Sequence, residues 1–410
     1  MKENTIKLEK VIIDIAAGPF GSNLKVSCFV DDGFPIIDGA NLKGFKITDN
    51  ITKFVTEEKA NSLYRSIAHR NDVVVTISGT LGQIAYIPED SMYEAYLCSQ
   101  RQFRVTFDAE KVFVPYIVYY FHTYEGQHKI LSFANQTGVP ALSQPLKNFK
   151  NIEVKLPAIE VQKKIASVAL SLDGKIELNN RINENLEQQI QTILLDLIKS
   201  DSQKDSIENV KLGDYLYIKG RIGWKGLKKD EYLESSDYRI INGESLTKDG
   251  IDWGKAGYIS AERYDESPEI MLQIGDILLS KDGTIGKIGY IDRLDSPSTV
   301  ASGIFVIRNI KPDIISTQFI YYLLKSKLFT AFIASRTEGS VIPHLYQKDF
   351  MEFMIPLPNA AEMNQFDSLT LPLFSTIVKN LRENEFLAAT RDVLLPKLMK
   401  GEIDVSEIKI

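Results

Sequence analysis

Two segments of the chain are similar in sequence: NDVVVTISGTLGQIAYI at residues 71–87 and GDILLSKDGTIGKIGYI at residues 275–291. Each version has an apolar run, a turn with two glycines and a second apolar run, a pattern that predicts a β-hairpin. The aspartates that precede the two hairpins, Asp72 and Asp276, are 204 positions apart. The first predicted strands are 73–75, continuing to Ile77, and 277–279.

The match extends along the chain on both sides of the hairpin. Corresponding residues are, in order, Lys7 and Lys211, Ile36 and Ile240, Tyr119 and Tyr321, Pro140 and Pro343, Leu156 and Leu357, and Leu194 and Leu394. One glycine-rich turn matches by chance easily, whereas a collinear series does not. The chain is therefore interpreted as an internal duplication of about 200 residues.

Aromatic residues mark a second element of each copy, at 116–124 and 319–332. Tyr119, Tyr120 and Phe121 have the residue types of a base-stacking platform. Their spacing and their Ile and Val neighbours favour the alternative, which is a helix packed on the strands.

Each copy ends in a long helical pattern. Apolar residues recur at steps of three and four from 161 to 197, with one wider gap near 178–180 and no proline. About 40 residues at 1.5 Å each would form a rod of roughly 60 Å. A matching stripe begins at Ala360, where Pro372 is expected to kink the helix or mark its start and Pro396 to interrupt its end. Neither stripe can be buried alone, so the two helices are expected to pair in antiparallel orientation.

The composition limits the classes of protein. The 410 residues are 44% hydrophobic and 25% charged, with neither an apolar run of membrane-spanning length nor a signal-peptide core. Two cysteines, Cys28 and Cys98, are too few for a disulfide framework or a zinc site and are expected to be buried in a cytoplasmic protein. The net charge of −6 argues against a protein that coats DNA by charge alone.

No catalytic motif is found in the sequence. The glycine-rich cofactor turn and the Asn/Asp-Pro-Pro-aromatic tetrapeptide of a methyltransferase are both missing, and residues 283–287 are too short for a P-loop. Glu153-Val154-Lys155 supplies half of a nuclease motif, but surface strand polarity explains it better. The four histidines have no ligand spacing. We expect a protein without catalytic residues or a metal site.

Two similar modules held apart by a rigid spacer are suited to reading two sites on a linear molecule such as DNA, which presents similar faces at every helical turn. Two loop types in each copy are candidate contacts, because glycine permits close backbone approach and polar side chains reach phosphates or base edges. In the first loop type the candidates are Ser22, Asn23 and Lys25 and, within the acid-free segment KGRIGWKGLKK at 219–229, Lys219, Arg221, Trp224 and Lys225. In the hairpin turn they are Ser78, Thr80, Lys281 and Thr284. For Trp224 the alternative is a structural role, and for the hairpin turn it is an ordinary tight turn. Further candidates, for which the alternative is a solvated surface position, are Arg65, Arg70, Arg101 and Arg104.

Several segments resemble the specificity (S) subunits of type I restriction–modification systems. EVQKKIASVALSLDGKIELNNRINENLEQQ (160–189) is similar to the central helical region of that family, and RDVLLPKLMKGEI (391–403) to its C-terminal signature. LPAIEVQ and LPNAAEMNQ match its junctions between recognition domain and helix, and the SGTLG and DGTIG turns its repeated turn. The resemblance covers essentially the whole chain. The sequence departs from the family pattern at Pro372 and in the second helix, where NENLEQQ has no counterpart.

The resemblance implies an α+β fold in which two globular target recognition domains are joined by two long antiparallel coiled-coil helices, with a pseudo-two-fold internal repeat. The expected domains are recognition domain 1 at 1–157, the central helix at 158–204, recognition domain 2 at 205–358 and the C-terminal helix at 359–410. Each recognition domain would read one half of a bipartite asymmetric DNA site. A polar glycine loop near the DNA backbone in that family adds a third loop type, with Gln136 and Thr137 in copy one and Arg336, Thr337 and Ser340 in copy two.

The resemblance also implies partners. The helices would set the spacer and dock two modification subunits, similar to adenine-N6 methyltransferases that use S-adenosylmethionine and flip the target base. Restriction subunits that use ATP and Mg²⁺ are a further expected partner, and this chain itself would bind no cofactor. The competing hypothesis is a helical protein–protein scaffold with peptide-binding domains; an enzyme in its own right is a third. The basic segment and the duplicated glycine loops favour DNA binding.

Overall fold

A computed structural model describes residues 4–135, 139–202, 209–222, 226–247, 250–337 and 344–408. The chain divides into two compact units: unit 1 is Met1–Leu178 with Glu383–Ile410, and unit 2 is Asn179–Arg382. Each unit contains one globular part and a segment of each long helix. This division by packing cuts both helices, so the domain boundaries at 157, 204 and 358 stay predictions.

Unit 1 contains thirteen of the described strands. They are β1 (Asn4–Lys7), β2 (Ile12–Ala17), β3 (Phe29–Val30), β4 (Phe34–Ile37), β5 (Phe54–Val55), β6 (Ile67–His69), β7 (Val73–Thr76), β8 (Ile84–Tyr86), β9 (Ala95–Cys98), β10 (Gln102–Phe107), β11 (Ala134–Asn135), β12 (Ala141–Leu142) and β13 (Glu153–Leu156). The helices are α1 (Glu57–Ser62), α2 (Val114–His122), α3 (Tyr124–Leu131), α4 (Pro145–Asn151) and α5 (Ile159–Ser202), which continues into unit 2.

Unit 2 repeats this order with some elements lost. Its described strands are β14 (Asn209–Lys211), β15 (Leu216–Gly220), β16 (Tyr238–Ile241), β17 (Leu246–Thr247), β18 (Gly250–Ile251), β19 (Gly257–Ile259), β20 (Ile277–Ser280), β21 (Ile288–Tyr290), β22 (Ser298–Val300), β23 (Ile304–Asn309) and β24 (Met354–Pro356). The helices are α6 (Ala261–Asp265), α7 (Thr317–Leu324), α8 (Lys327–Thr337), α9 (Gln347–Met351) and α10 (Ala360–Met399), which ends in unit 1.

The sheets confirm the internal duplication. The order β2-β10-β7-β8 in unit 1 corresponds to β15-β23-β20-β21 in unit 2, and the pair β1-β13 corresponds to β14-β24. The two predicted hairpins are β7-β8 and β20-β21. Even an uncommon feature recurs: β4 pairs parallel with β9 through Ile37, and β16 pairs parallel with β22 through Ile241.

Side-chain alternation explains how β7 is buried on both faces. Val73 and Val75 face a core shared with α2, whereas Val74 faces a second core with Ile37 and Ala85. In unit 2, Ile277 and Leu279 face one core and Leu278 the other. The uninterrupted apolar runs of the two hairpins are therefore strands covered from both sides.

The aromatic helices are core elements, as the spacing favoured. Tyr119 and Phe121 on α2 and Phe319 and Tyr322 on α7 are fully or almost fully buried. Of the two cysteines, Cys98 is buried, and burial raises the pKa of its thiol to about 12. Cys28 is only partly buried, which differs from the prediction.

The long helices pack in antiparallel orientation within each unit. In unit 1, Ile165 and Ala169 near the start of α5 pack with Leu395 and Leu398 near the end of α10. In unit 2, the later part of α5 packs with the earlier part of α10, through the buried residues Ile190, Leu194, Phe366, Phe374 and Ile377. The gap in the apolar stripe coincides with the exposed side chains of Leu178 and Ile182.

Proline does not divide α10 as expected. The helix begins at Ala360, runs through Pro372 and Pro396 and ends at Met399. Pro372 cannot donate a backbone hydrogen bond, and a proline inside a helix costs about 3 kcal/mol. Burial of Phe366 and Phe374 on either side of it offsets that cost. Of the two alternatives for Pro372, a helix start is wrong, whereas a kink stays a prediction.

Candidate nucleic-acid interface

The first glycine-rich loop of unit 1 is anchored to the turn that precedes β10. The Gly18 N–H donates to the Gln102 carbonyl at 2.8 Å, and a side chain at Gly18 would lie 1.9 Å from the carbonyl oxygen of Ser99. The Gln100 side-chain amide donates to the Leu24 carbonyl at 2.5 Å. Three predicted contact residues are exposed on this loop: Ser22, Asn23 and Lys25. Glycine at 18 is thus required by close backbone approach.

The hairpin turn of unit 1 contacts the same region. The Ile77 N–H donates to the Arg101 carbonyl at 2.6 Å, and the Gly79 N–H donates to the Pro140 carbonyl at 3.0 Å. Gly79 has φ of 94°, a left-handed conformation that favours glycine. Thr80 is exposed, and Ser78 is partly buried where it forms a bridge with Ala141.

These contacts bring together four segments, which we call the first loop cluster: 18–25, 77–82, 99–101 and 139–141. Arg101 is exposed at its centre. The sequence has no Asp or Glu in 15–30, 73–88, 95–107 or 126–152, although the chain as a whole has a net charge of −6. Lys25 and Arg101 therefore have no acidic neighbour in the segments of sequence that form this cluster.

Unit 2 has the equivalent second loop cluster, defined by 220–222, 280–284, 301–303 and 344–346. Gly220 pairs with Phe305 at the end of β15. The Lys281 N–H donates to the Gly303 carbonyl at 2.8 Å, and the Leu345 N–H donates to the Lys281 carbonyl at 3.0 Å. In each copy, therefore, the hairpin turn is hydrogen-bonded to two other segments of its cluster. The third predicted loop of copy two, 336–340, lies partly outside the described residues.

The two clusters differ in their charged side chains. The second contains Asp282, whose carboxylate contacts Nδ1 of His344. Lys281 is partly buried, with Nζ 5.0 Å from the ring centre of Phe305, and burial lowers the pKa of its ammonium group. Thr284 is exposed. The equivalent turn of unit 1 has Ile77 in place of the lysine and Ser78 in place of the aspartate.

Two further predicted residues of unit 2 are exposed cations on aromatic rings. Lys219 Nζ lies 5.9 Å from the ring centre of Tyr217, and the Arg336 guanidinium lies 5.4 Å from that of Phe332. Both side chains remain accessible to a polyanion.

Arg221 corrects one prediction. Its side chain is 2% exposed, and its Nε–H donates to the Val300 carbonyl at 3.1 Å. The guanidinium also reaches Ser267 Oγ at 3.4 Å and Thr299 Oγ1 at 3.5 Å. The residue ties the end of β15 to β22 inside the domain, so we withdraw it as a DNA contact.

The structure does not describe every predicted contact residue. Gln136, Thr137, Trp224, Lys225 and Ser340 lie outside the described residues, and Thr337 ends α8 without a described side chain. Of the additional arginines, Arg65 and Arg101 are exposed. Arg70 donates to the Ser91 carbonyl, and the largely buried Arg104 pairs with Asp14.

Sequence reasoning missed how the loops are held together. Gln100 anchors the first loop, and the Asp282–His344 contact lies in the second cluster. The absence of Asp and Glu from 95–107 was a readable signal for Arg101 and Arg104, and the pairing of the largely buried Arg104 with Asp14 separates the two. In the described part of the chain, no group of three or more His, Cys, Asp or Glu side chains is placed to hold a metal ion. Among those residues, likewise, no helix combines the length and apolar character needed to cross a membrane.

Comparison with known families decides the classification. The family model of the type I restriction modification DNA specificity domain matches residues 27–188 and 204–383, once in each copy. The chain belongs to this family. It is a specificity subunit with two target recognition domains, the non-catalytic member of a type I restriction–modification complex.

This specificity subunit has one relative that matches nearly its whole length and another that matches about two thirds of it. It is 23% identical to the type I restriction enzyme MjaIX specificity subunit of Methanocaldococcus jannaschii, over 99% of this chain and 95% of that one. It is also 23% identical to the HindI specificity subunit of Haemophilus influenzae, over 62% and 69% of the two chains. The S subunit structure from M. genitalium has the same fold, with a TM-score of 0.55, 17% identity and coverage of 97% and 96%.

Proposed function

We propose that the two loop clusters are the DNA-contacting surfaces of this specificity subunit, each reading one half of a bipartite asymmetric site. The observation that carries the proposal is that the hairpin turn of each copy is hydrogen-bonded to two other segments of its cluster. Lys25 and Arg101 are exposed in the first cluster, and Lys219 is exposed next to the second. Exposed polar side chains at a fixed position supply base-edge contacts, and the cations supply phosphate contacts.

The difference between the clusters supports an asymmetric site. Ser22, Asn23 and Lys25 in the first cluster have no close sequence match among the described residues of the second, where Asp282 and His344 meet. Identical copies would read a palindrome, whereas diverged copies read two different half-sequences.

The two long helices set the distance between the half-sites and dock the modification subunits. The antiparallel packing of α5 and α10 within each unit supports the first role. Exposed apolar side chains on α10, Phe386 at 70% and Val393 at 58%, lie seven positions apart and support the second. S-adenosylmethionine, and ATP and Mg²⁺ where restriction subunits join, belong to those partners.

The decisive experiment measures DNA affinity against salt for the full chain assembled with two methyltransferase subunits. Loss of one phosphate contact reduces the slope of log K against log salt by about 0.9. We expect Arg101→Ala and Lys25→Ala to lower the affinity and the slope. Lys111→Ala is the control, because Lys111 pairs with Asp108 away from the cluster. Binding that is insensitive to salt, or that selects no sequence, would contradict DNA reading and favour the scaffold hypothesis.

A domain exchange tests the division into two readers. Replacing residues 1–157 with the equivalent region of another family member should change one half of the methylated sequence and leave the other half intact. Methylation-aware sequencing of the host genome reports both halves and their spacing. A change in both halves would contradict the two-reader arrangement.

A further inference from the structure

Phe20 is an exception to the burial of phenylalanine side chains in this protein. All twenty phenylalanines lie in the described residues, and only Phe20 and Phe386 are exposed. Phe20 is 83% exposed at the tip of the first glycine-rich loop. Full burial of such a side chain is worth about 1.5–3 kcal/mol, so a partner that covered the ring would gain that free energy.

The loop that carries Phe20 is held by contacts on both sides. The Asn23 N–H donates to the Phe20 carbonyl at 2.7 Å, which closes a turn around the side chain. The Gln100 amide donates to the Gly21 carbonyl at 3.3 Å, and Gly18 is fixed against the turn that precedes β10. Because the backbone is already ordered, placing the ring in a partner costs little further conformational entropy.

The charges around Phe20 fit DNA better than a protein surface. Lys25 and Arg101 are exposed in the same cluster, and no acidic residue occurs from 15 to 30. Val26, 81% exposed, adds a second apolar side chain to this loop. An apolar wedge flanked by cations is the arrangement by which proteins unstack a base step while neutralising the adjacent phosphates.

We propose that Phe20 inserts between two neighbouring base pairs of the half-site read by recognition domain 1 and partly unstacks them. This deepens the proposed function and rests on it. The cost of unstacking depends on the sequence of the step, so the wedge would favour flexible pyrimidine–purine steps without any hydrogen bond to a base. In the described part of the second cluster the exposed apolar residues are less prominent, Ile222 at 45% and Tyr346 at 55%. The wedge is therefore assigned to the first half-site, where Phe20 lies.

The test places 2-aminopurine, whose fluorescence rises on unstacking, at successive positions of the first half-site. It uses the full chain assembled with its methyltransferase subunits, and the methylated adenine is left out of the scan because base flipping there raises the signal independently. We expect one step to respond to wild-type protein and to Phe20→Trp, and to lose its response with Phe20→Ala. Affinity should fall about tenfold with Phe20→Ala, in line with the loss of one base–aromatic stack.

Two further measurements separate the wedge from general DNA binding. The salt slope should be unchanged in Phe20→Ala, because no phosphate contact is lost, whereas Lys25→Ala should reduce it. Met92→Ala, which removes an exposed apolar residue beyond the end of β8 that is away from the hairpin turn, is the matched control. A response that persists in Phe20→Ala at every position overturns the wedge while leaving the proposed function standing. Absence of salt-dependent binding by the wild-type complex overturns both.

Discussion

Asp173 on α5 and Arg391 on α10 form an ion pair between the two long helices inside unit 1. The Arg391 guanidinium lies 2.5 Å from the Asp173 carboxylate, and the two side chains are 13% and 12% exposed. The Tyr119 hydroxyl of α2 donates to the same carboxylate, and the guanidinium lies 4.5 Å from the ring centre of Phe45. One buried carboxylate therefore links both helices to recognition domain 1.

Asp173→Asn should destabilise unit 1. Asparagine removes the charge of Asp173 and leaves the largely buried Arg391 paired with the exposed Asp392 at 2.8 Å. Breaking a buried pair costs up to about 3–5 kcal/mol, and the remaining contact with Asp392 reduces that loss. Hydrogen exchange of the full chain, followed at the α2 amides, measures this loss locally. Lys175→Met is the control, because Lys175 and Glu383 form a pair at 3.5 Å with both side chains well exposed, a type worth about 0–1 kcal/mol. Equal losses in the two variants would show that the Asp173 link does not hold the helices to the domain.

Phe374→Ala should have a comparable effect in unit 2 through a different force. Phe374 packs edge-on against Tyr290, Tyr321 and Tyr322. Loss of a buried phenylalanine costs about 3–5 kcal/mol. The decrease in protection of the α7 amides should be the same at low and high salt. A decrease that changes strongly with salt would point to an electrostatic junction instead.

The elements that sequence reasoning located are those set by local periodicity. The strands around Val74 and Leu278 and the two long helices each follow from apolar spacing within one segment. The observed strand pairings confirm both predicted hairpins. The predicted fold class is confirmed by the family match in both copies and by the shared fold of the M. genitalium subunit.

The incorrect predictions concern residues whose contacts are made with residues distant in sequence. Arg221 lies among lysines in sequence, yet its partners Ser267 and Val300 are 46 and 79 positions away. Pro372 has a poor local helix propensity that tertiary packing of its neighbours outweighs. The meeting of the loops likewise depends on β10 pairing with both β2 and β7, which no local pattern encodes.

Gly174→Ala should stabilise the protein. Gly174 lies in the interior of α5, and an added Cβ would have no atom within 4 Å. Alanine is favoured over glycine inside a helix by about 1 kcal/mol. Thermal unfolding of the full chain should therefore shift upward, with unchanged DNA affinity.

Gly126→Ala is the matched comparison for that variant. Gly126 is also helical, but an added Cβ would lie 2.2 Å from the Tyr120 carbonyl oxygen, so this variant should unfold at lower temperature. Stabilisation by both substitutions would mean that the close approach of α3 to α2 is not a constraint.

His122 should make the stability of unit 1 depend on pH. Burial lowers the pKa of its imidazole, and the positive charge of Arg391 adds to that effect; Nε2 lies 2.7 Å from the Ile84 carbonyl, to which the neutral ring donates. In the unfolded chain the pKa of a histidine is about 6.5. As the pH falls below that value, the unfolded state binds a proton that the folded state does not, so the free energy of unfolding decreases. Above it the two states bind the same number of protons at this site and the effect vanishes.

His122→Gln keeps an amide donor for Ile84 and removes the titrating group, so the variant should lose part of the destabilisation seen between pH 7.5 and 5.5. Denaturant unfolding of wild-type and variant chains across that range gives the difference in slope. His128→Gln, which changes an exposed histidine on the neighbouring helix α3, is the control. The attribution to His122 requires that the slope change in His122→Gln exceed that in His128→Gln; parallel pH profiles for wild type and His122→Gln would rule it out, because a buried imidazole with a lowered pKa must separate them below pH 6.5.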